Sequence, residues 1–198
     1  MTYFFALAQS QREDYRRKGD QPAVLFMNLI GMKFYNRDYG FTRGDQALQS
    51  FARLLGRYFG SSSCSRLGQD HFAVYTSGRE LDDVLHRFLE DWKTNHEGGS
   101  LPVRVGVCLD EGNHDISLVC DRAKYACDSM RRSYSSYIRY FEESMMLDAE
   151  KRQYIVANLD KAMEENWIQV YYQPIVRAAN GRVCDEEALR SEEHTSEL

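Results

Sequence analysis

Long hydrophobic runs and a surplus of basic residues are both missing from this 198-residue chain. No apolar stretch approaches the roughly 20 residues that cross a bilayer, and the first five residues are neither cationic nor long enough for a secretory signal. The formal net charge is −5, from 25 Lys and Arg against 30 Asp and Glu. We therefore expect a cytoplasmic protein without a membrane segment or a nucleic-acid partner, because sequence-independent nucleic-acid binding needs a clustered basic surface.

Cysteine pairs and clustered histidines are missing as well. The five cysteines include no Cys-x-x-Cys pair, and the five histidines share no metal-binding spacing. Neither a disulfide framework nor a zinc site is therefore predicted. The cysteines are interpreted as small apolar residues of a core.

The chain has the composition of an ordinary globular protein, 43% hydrophobic and 28% charged. Its apolar residues recur with the spacing of helices in some segments and of strands in others. The predicted helices lie near residues 3–15, 48–59, 81–92 and 115–127. The predicted strands lie near 23–27, 101–109 and 137–141, with a hairpin over 64–75. This order packs most simply as an α/β (α+β) fold of the split-βαβ or ferredoxin-like type, a central mixed sheet covered by helices.

The hairpin contains the turn Gly68-Gln69-Asp70, which has two interpretations. Glycine beside aspartate between alternating apolar residues is ordinary turn chemistry. The same turn, followed by His71, could instead be what remains of an active site. The fold alone does not decide between these interpretations, because one fold serves many functions.

Three segments in a fixed order favour the second interpretation. Residues 28–40, 44–45 and 66–72 read NLIGMKFYNRDYG, GD and RLGQDHF. They resemble the diguanylate cyclase (GGDEF) family, whose pattern is Asp-x-Asp-x-Phe-Lys-x-x-Asn-Asp-x-Tyr-Gly-His-x-x-Gly-Asp followed by Arg-x-Gly-Gly-Asp-Glu-Phe. The segments VRVG at 103–106 and DRAKY at 121–125 extend the resemblance to about residue 143.

The resemblance implies a palm-type mixed sheet, as in nucleotidyl cyclases, and a homodimer in which each subunit holds one GTP. The family joins two GTP molecules into cyclic di-GMP with the help of Mg²⁺. By this resemblance Asn36 and Asp45 contact the guanine edge, and Lys33 contacts phosphate. Read from the residues alone, Asn36 and Asp45 are also explained as helix-capping and turn residues.

The metal site of the family is not kept in the sequence. Asn28 replaces a metal aspartate, Ile30 a second acid, Gln69 a glycine and His71 a glutamate, so that only Asp70 keeps its acid. An amide and an imidazole substitute poorly for carboxylates around a hard cation. We therefore expect a catalytically inactive domain with a vestigial turn at residues 68–71, no bound cofactor, and weak guanine-nucleotide binding.

A second resemblance begins at about residue 166. The segments IQVYYQPIV at 168–176 and RVCDEEAL at 182–189 are similar to the first hairpin of the EAL family of cyclic di-GMP phosphodiesterases. These enzymes are TIM barrels with two metal ions, Mg²⁺ or Mn²⁺. Gln173 matches the Gln-Pro position of the family, and Glu187 matches a metal ligand that would act only in a complete barrel.

The expected organisation has four parts. Residues 1–143 form the GGDEF-like domain, truncated at its start; 144–165 form a connecting helix; and 166–189 begin an EAL domain. Residues 190–198 resemble the translation of a sequencing adapter and are left out of the fold; a natural acidic tail is the alternative.

The sequence therefore predicts part of a bacterial cyclic di-GMP signalling protein. In this prediction the inactive GGDEF domain regulates an EAL phosphodiesterase, which binds cyclic di-GMP through a barrel that lies mostly outside the chain. Two alternatives remain open, a scaffold that only dimerises and a cyclase with weak residual activity.

Overall fold

The computed structural model describes residues 2–94, 101–129, 136–167 and 170–190. It divides the chain into two units, Met1–Met145 and Met146–Leu198, and each unit is described by itself.

Five strands of the first unit form one mixed sheet. The α-helices and strands of this unit, in chain order up to the last strand of the sheet, are α1 (Thr2–Arg17), β1 (Pro22–Leu29), α2 (Met32–Tyr39), α3 (Phe41–Phe59), β2 (Cys64–Gly68), β3 (His71–Ser77), α4 (Leu81–Thr94), β4 (Val103–Leu109), α5 (Ile116–Asp128) and β5 (Tyr137–Tyr140). The strand order is β2-β3-β1-β4-β5, antiparallel except for the last pair. The first four strands have the split-βαβ arrangement predicted from the sequence, and β5 extends the sheet beside β4.

The central strand β1 is buried on both faces, as its continuous apolar run predicts. Ala23, Leu25, Met27 and Leu29 pack with side chains of α3 and α4, whereas Val24 and Phe26 pack with those of α1 and α5. Two apolar layers therefore enclose the sheet. The α3 and α4 layer contains an aromatic cluster in which the Phe51 ring lies 4.8 to 5.5 Å from three other rings.

Helix α2 is the element that apolar periodicity did not predict. Met32 is its one buried residue in the structure, so its sequence carries too few apolar positions to show a helical stripe. The predicted second helix likewise begins earlier than expected, at Phe41 instead of near Leu48. The predicted cap of α5 is confirmed, because the Asp115 side chain accepts a hydrogen bond from the Ser117 backbone N–H at 2.7 Å.

A buried ion pair joins α1 to the end of β4. Arg12 and Asp110 are 6% and 3% exposed, and two guanidinium nitrogens of Arg12 donate to the two carboxylate oxygens, each at 2.8 Å. Tyr75 on β3 and the backbone N–H of Gly112 also donate to this carboxylate. Burial alone would lower the pKa of Arg12, but the hydrogen bond and charge of Asp110 raise it. Both oxygens are therefore satisfied in a site that water does not reach.

The second unit contains a helical segment and a hairpin. The single helix expected over 144–165 is wrong, because α6 (Glu143–Ala157), which starts in the first unit, is separated from α7 (Leu159–Glu164). The break lies at Asn158, whose side-chain amide donates to the Tyr154 carbonyl at 2.8 Å and whose backbone leaves the helical region. Strands β6 (Val170–Val176) and β7 (Val183–Arg190) pair antiparallel, as predicted, and every residue of β6 is exposed.

No helix in the described ranges combines the length and the hydropathy needed to cross a bilayer.

We predict that Asp110→Ala lowers the free energy of unfolding by about 3 to 5 kcal/mol, because it leaves the Arg12 charge buried without its carboxylate. Tyr75→Phe removes one hydrogen bond and is expected to cost about 1 kcal/mol. Urea unfolding followed by circular dichroism measures both. The control is Glu13→Ala, which breaks an exposed pair with Arg16 and is expected to change stability by less than about 0.5 kcal/mol. Equal stability of the Asp110 and Glu13 variants would contradict the prediction.

Candidate functional site

An open pocket of about 480 Å³ lies where α2, α3 and the β2–β3 turn meet. Ten residues line it: Met32, Lys33, Asn36, Arg37, Phe41, Asp45, Leu48, Arg66, Gln69 and Asp70. The predicted nucleotide-binding residues Lys33, Asn36 and Asp45 are therefore brought together, and residues 69 and 70 of the predicted turn join them. The volume is that of a small-molecule site.

The helical repeat explains which residues of α2 and α3 face the pocket. Lys33 and Asn36 are three residues apart on α2, and Asp45 and Leu48 are three apart on α3, so each pair shares one face of its helix. Gly31, with φ +86°, turns the chain from β1 into α2. A side chain at this φ would be strained.

Helix α3 passes close to Asn36 because one of its residues lacks a side chain. A Cβ built on Gly44 would lie 1.8 Å from Asn36 Oδ1. That oxygen is shielded from solvent and has no hydrogen-bond partner among the described residues. Gly44 therefore makes room for the half-buried side chain of Asn36, whose amide lies against α3.

The β2–β3 turn keeps a left-handed conformation without a glycine at its centre. Gln69 has φ +42°, in a region where residues with a side chain are uncommon. Nε and Nη2 of Arg66 both donate to the Gln69 carbonyl oxygen, at 2.9 and 2.5 Å. The backbone N–H of Leu29 donates to the Asp70 carbonyl at 3.1 Å. These bonds hold the turn closed and attach it to the end of β1.

Four residues of this domain that were singled out from the sequence, Asn28, Ile30, Gly68 and His71, are absent from the residues that line the pocket. Gly68 ends β2 with φ +144°. Asn28 and His71 face each other across β1 and β3, and Arg104 lies opposite Asn28 on β4. Side chains of a strand alternate between the two faces of the sheet, so Asn28, His71 and Arg104 lie on the same face as Phe26. Helices α1 and α5 cover that face.

Few side-chain oxygen atoms near the β2–β3 turn could bind a metal ion. Asp70 Oδ1 lies 3.3 Å from His71 Nδ1. Within the described ranges, the structure contains no group of three His, Cys, Asp or Glu side chains placed to hold a metal ion. Glu187 belongs to the second unit, where its register partner on β6 is Gln173 and both side chains are exposed.

Charges of both signs line the pocket. Lys33, Arg37 and Arg66 are basic, and Asp45 and Asp70 are acidic. Arg37 Nε donates to Asp38 Oδ1 at 2.8 Å, and this hydrogen bond lowers the pKa of Asp38. Because Arg37 is paired with Asp38, Lys33 and Arg66 are the basic lining residues that remain beside the two acidic ones.

Five lining residues were not identified as site residues from the sequence. Their roles depend on how three separate elements pack together, and periodicity within one element does not reveal this. Met32, Arg37 and Arg66 do lie in the segments that resemble the family, which was the available signal. The five residues are Met32, Arg37, Phe41, Leu48 and Arg66.

Comparison with known families gives one match to a family model. Residues 2–135 match the model described as "Diguanylate cyclase, GGDEF domain". The bifunctional diguanylate cyclase/cyclic di-GMP phosphodiesterase MucR of Pseudomonas aeruginosa is 30% identical over 202 residues, which cover 96% of this chain. The chain spans only 28% of the length of MucR.

Solved structures agree in fold. The GGDEF domain of YfiN (TpbB) from Pseudomonas aeruginosa superposes with a TM-score of 0.62 at 22% identity, covering 72% of this chain and 95% of that domain. The GGDEF domain of DgcB from Caulobacter crescentus, solved in complex with c-di-GMP, has a TM-score of 0.57 at 17% identity, with coverages of 66% and 84%. At these identities the similarity concerns the fold.

We predict that Gly44→Ala displaces the Asn36 side chain and leaves the fold intact. The new Cβ meets the end of a side chain that is free to rotate, so we expect stability to change by less than about 1 kcal/mol. The side-chain amide resonances of Asn36 measure the displacement by NMR. Gly56→Ala in the same helix is the control, because its Cβ would meet the Ser61 hydroxyl at 2.8 Å, away from the pocket. Unchanged Asn36 resonances in Gly44→Ala would contradict the prediction.

Proposed function

This chain belongs to the diguanylate cyclase GGDEF-domain family, and on that basis we propose that its first unit is a guanine-nucleotide-binding regulatory domain without cyclase activity. The observation that carries the proposal is the composition of the pocket. Asn36 and Asp45, which suit a guanine edge, line it together with Lys33. Asp70 is the one carboxylate that the β2–β3 turn contributes to it.

The polar groups of the pocket favour guanine over adenine. A carboxylate at Asp45 accepts hydrogen bonds from the N1–H and the exocyclic amine of guanine, and the Asn36 amide offers a further donor and acceptor. Adenine presents an unprotonated ring nitrogen at the equivalent position, which would face the carboxylate lone pairs. A site built for these hydrogen bonds rejects the wrong base, because its own polar groups are left unpaired.

The donor set of the turn does not fit the Mg²⁺ that the family uses. Magnesium prefers six oxygen ligands and is usually bound through carboxylates and phosphates. Asp70 supplies one carboxylate. Asn28, near the end of β1, offers an amide and His71 an imidazole, which suits softer metals, and neither residue lines the pocket. Without a metal site, the charges of Lys33 and Arg66 are left to balance the phosphates. The domain therefore binds nucleotide weakly and forms no phosphodiester bond.

Regulation of a phosphodiesterase is the second part of the proposal. The similarity to MucR covers 96% of this chain and so reaches the β6–β7 hairpin. In that hairpin Glu187 lies opposite Gln173. These two residues belong to the two segments in which the sequence resembles an EAL domain. We assign the hairpin to the start of an EAL domain, whose complete barrel would bind cyclic di-GMP and two Mg²⁺ or Mn²⁺ ions.

Titration calorimetry with GTP, GDP and ATP, each with and without Mg²⁺, tests the first part of the proposal. We expect GTP and GDP to bind weakly, ATP to bind at least tenfold more weakly, and Mg²⁺ to change the affinity by less than about twofold. Asp45→Ala should abolish the preference for guanine. Asp83→Ala, which removes an exposed acid on α4, should leave it unchanged.

These titrations, together with an assay of the product formed from GTP with Mn²⁺, distinguish the alternatives. Equal binding of GTP and ATP, or no binding at millimolar nucleotide, contradicts the proposal and favours a domain that only dimerises. A cyclic dinucleotide formed from GTP with Mn²⁺ contradicts the loss of catalysis and favours a weak cyclase.

We also predict that this chain does not hydrolyse cyclic di-GMP. Glu187 is one ligand, and a two-metal site draws its other ligands from further strands, whereas a TIM barrel needs roughly 250 residues. Turnover of cyclic di-GMP is measured by chromatography, with Glu187→Ala as the control. Turnover by the unchanged chain above that control would show that the hairpin is not one part of a larger site.

A further inference from the structure

Phe41 is an exposed aromatic residue at the edge of the pocket. It is the first residue of α3, it lines the pocket, and it is 78% exposed. The aromatic residue of the same helix that belongs to the core, Phe51, is fully buried. Phe41 therefore contributes little to the core, although its ring offers a large apolar surface.

The rest of the pocket suits a flat ligand with a polar edge. Met32 and Leu48 are each 7% exposed and supply buried apolar surface. Asn36 and Asp45 supply the hydrogen-bonding groups. A purine base has these two properties, apolar faces and a polar edge, and aromatic side chains bind such faces by stacking.

We propose that the Phe41 ring stacks on the base of the bound guanine nucleotide and is a binding residue of the site. This inference rests on the proposed guanine-nucleotide function and adds a contact that the motif residues do not supply. The family pattern has histidine at this position, where this chain has phenylalanine.

Stacking on Phe41 changes which part of the nucleotide determines affinity. With one carboxylate at the turn, phosphate binding is not strengthened by a chelated Mg²⁺ ion. The base contacts then supply most of the affinity, from Phe41 on one side and the hydrogen bonds of Asn36 and Asp45 at the edge. GMP, GDP and GTP are therefore expected to bind with affinities within about fivefold of one another.

Paired phenylalanine variants test the stacking contact. Phe34 is the matched control, because it lies on α2, is 61% exposed and does not itself line the pocket. Its link to the pocket is indirect, through Arg37, whose guanidinium carbon lies 5.2 Å from the centre of the Phe34 ring. We expect Phe41→Ala to weaken GDP binding about tenfold or more, the scale found when a base-stacking aromatic is truncated. Phe34→Ala should change it less than twofold, and Phe41→Tyr, which keeps the ring, should restore it.

A fluorescence experiment reports the contact itself. The fluorescence of a tryptophan introduced by Phe41→Trp should be quenched by GMP, because a nucleobase stacked on the indole ring quenches it, whereas the Phe34→Trp variant should show no change. The native tryptophans give the background: Trp92 is 2% exposed and Trp167 is 53% exposed.

The outcomes separate this inference from the proposed function. If the unchanged chain binds GDP and Phe41→Ala binds it equally well, stacking is overturned and the guanine site stands. If the unchanged chain binds no guanine nucleotide, both are overturned. If Phe41→Ala and Phe34→Ala lose affinity equally, the loss reflects a general effect on α2 and α3, and stacking is overturned.

Discussion

The position of β1 is the constraint on which the site depends. The strand is buried on both faces and paired on both sides, so its register is determined by apolar packing as well as by hydrogen bonds. Its last residue, Leu29, binds the β2–β3 turn through a backbone hydrogen bond, and Gly31 then starts α2. The pocket lies where these two connections meet, so its position follows from the core, to which the lining residues Met32 and Leu48 belong.

The buried ion pair secures the opposite face of the same sheet. Arg12 belongs to α1 and Asp110 follows β4, and Tyr75 brings β3 into the same network. Three elements far apart in sequence are therefore connected where an unpaired charge would be costly. A domain constrained in this way can change the chemistry of its site residues without losing its architecture.

The parts of the structure that could be predicted from sequence are those determined by local pattern. The apolar run of β1, the two-residue connection at Gln69 and Asp70, and the Asp115 cap are visible in a few consecutive residues. Helix α2 was not visible because it buries only Met32. The contributions of Phe41 and Arg66 to the pocket were not visible either, since they arise from packing between elements. The motif resemblance identified Lys33, Asn36 and Asp45 because their spacing records a three-dimensional arrangement.

The Arg66 contact with the Gln69 carbonyl has a consequence for how such domains diverge. Because the guanidinium donates twice to the Gln69 carbonyl, it helps to hold a backbone conformation that is uncommon for a residue with a side chain. A hairpin of this shape is therefore compatible with glutamine at position 69. A search that requires the two glycines will overlook domains of this kind, whereas their folded shape remains recognisable long after the motif has drifted.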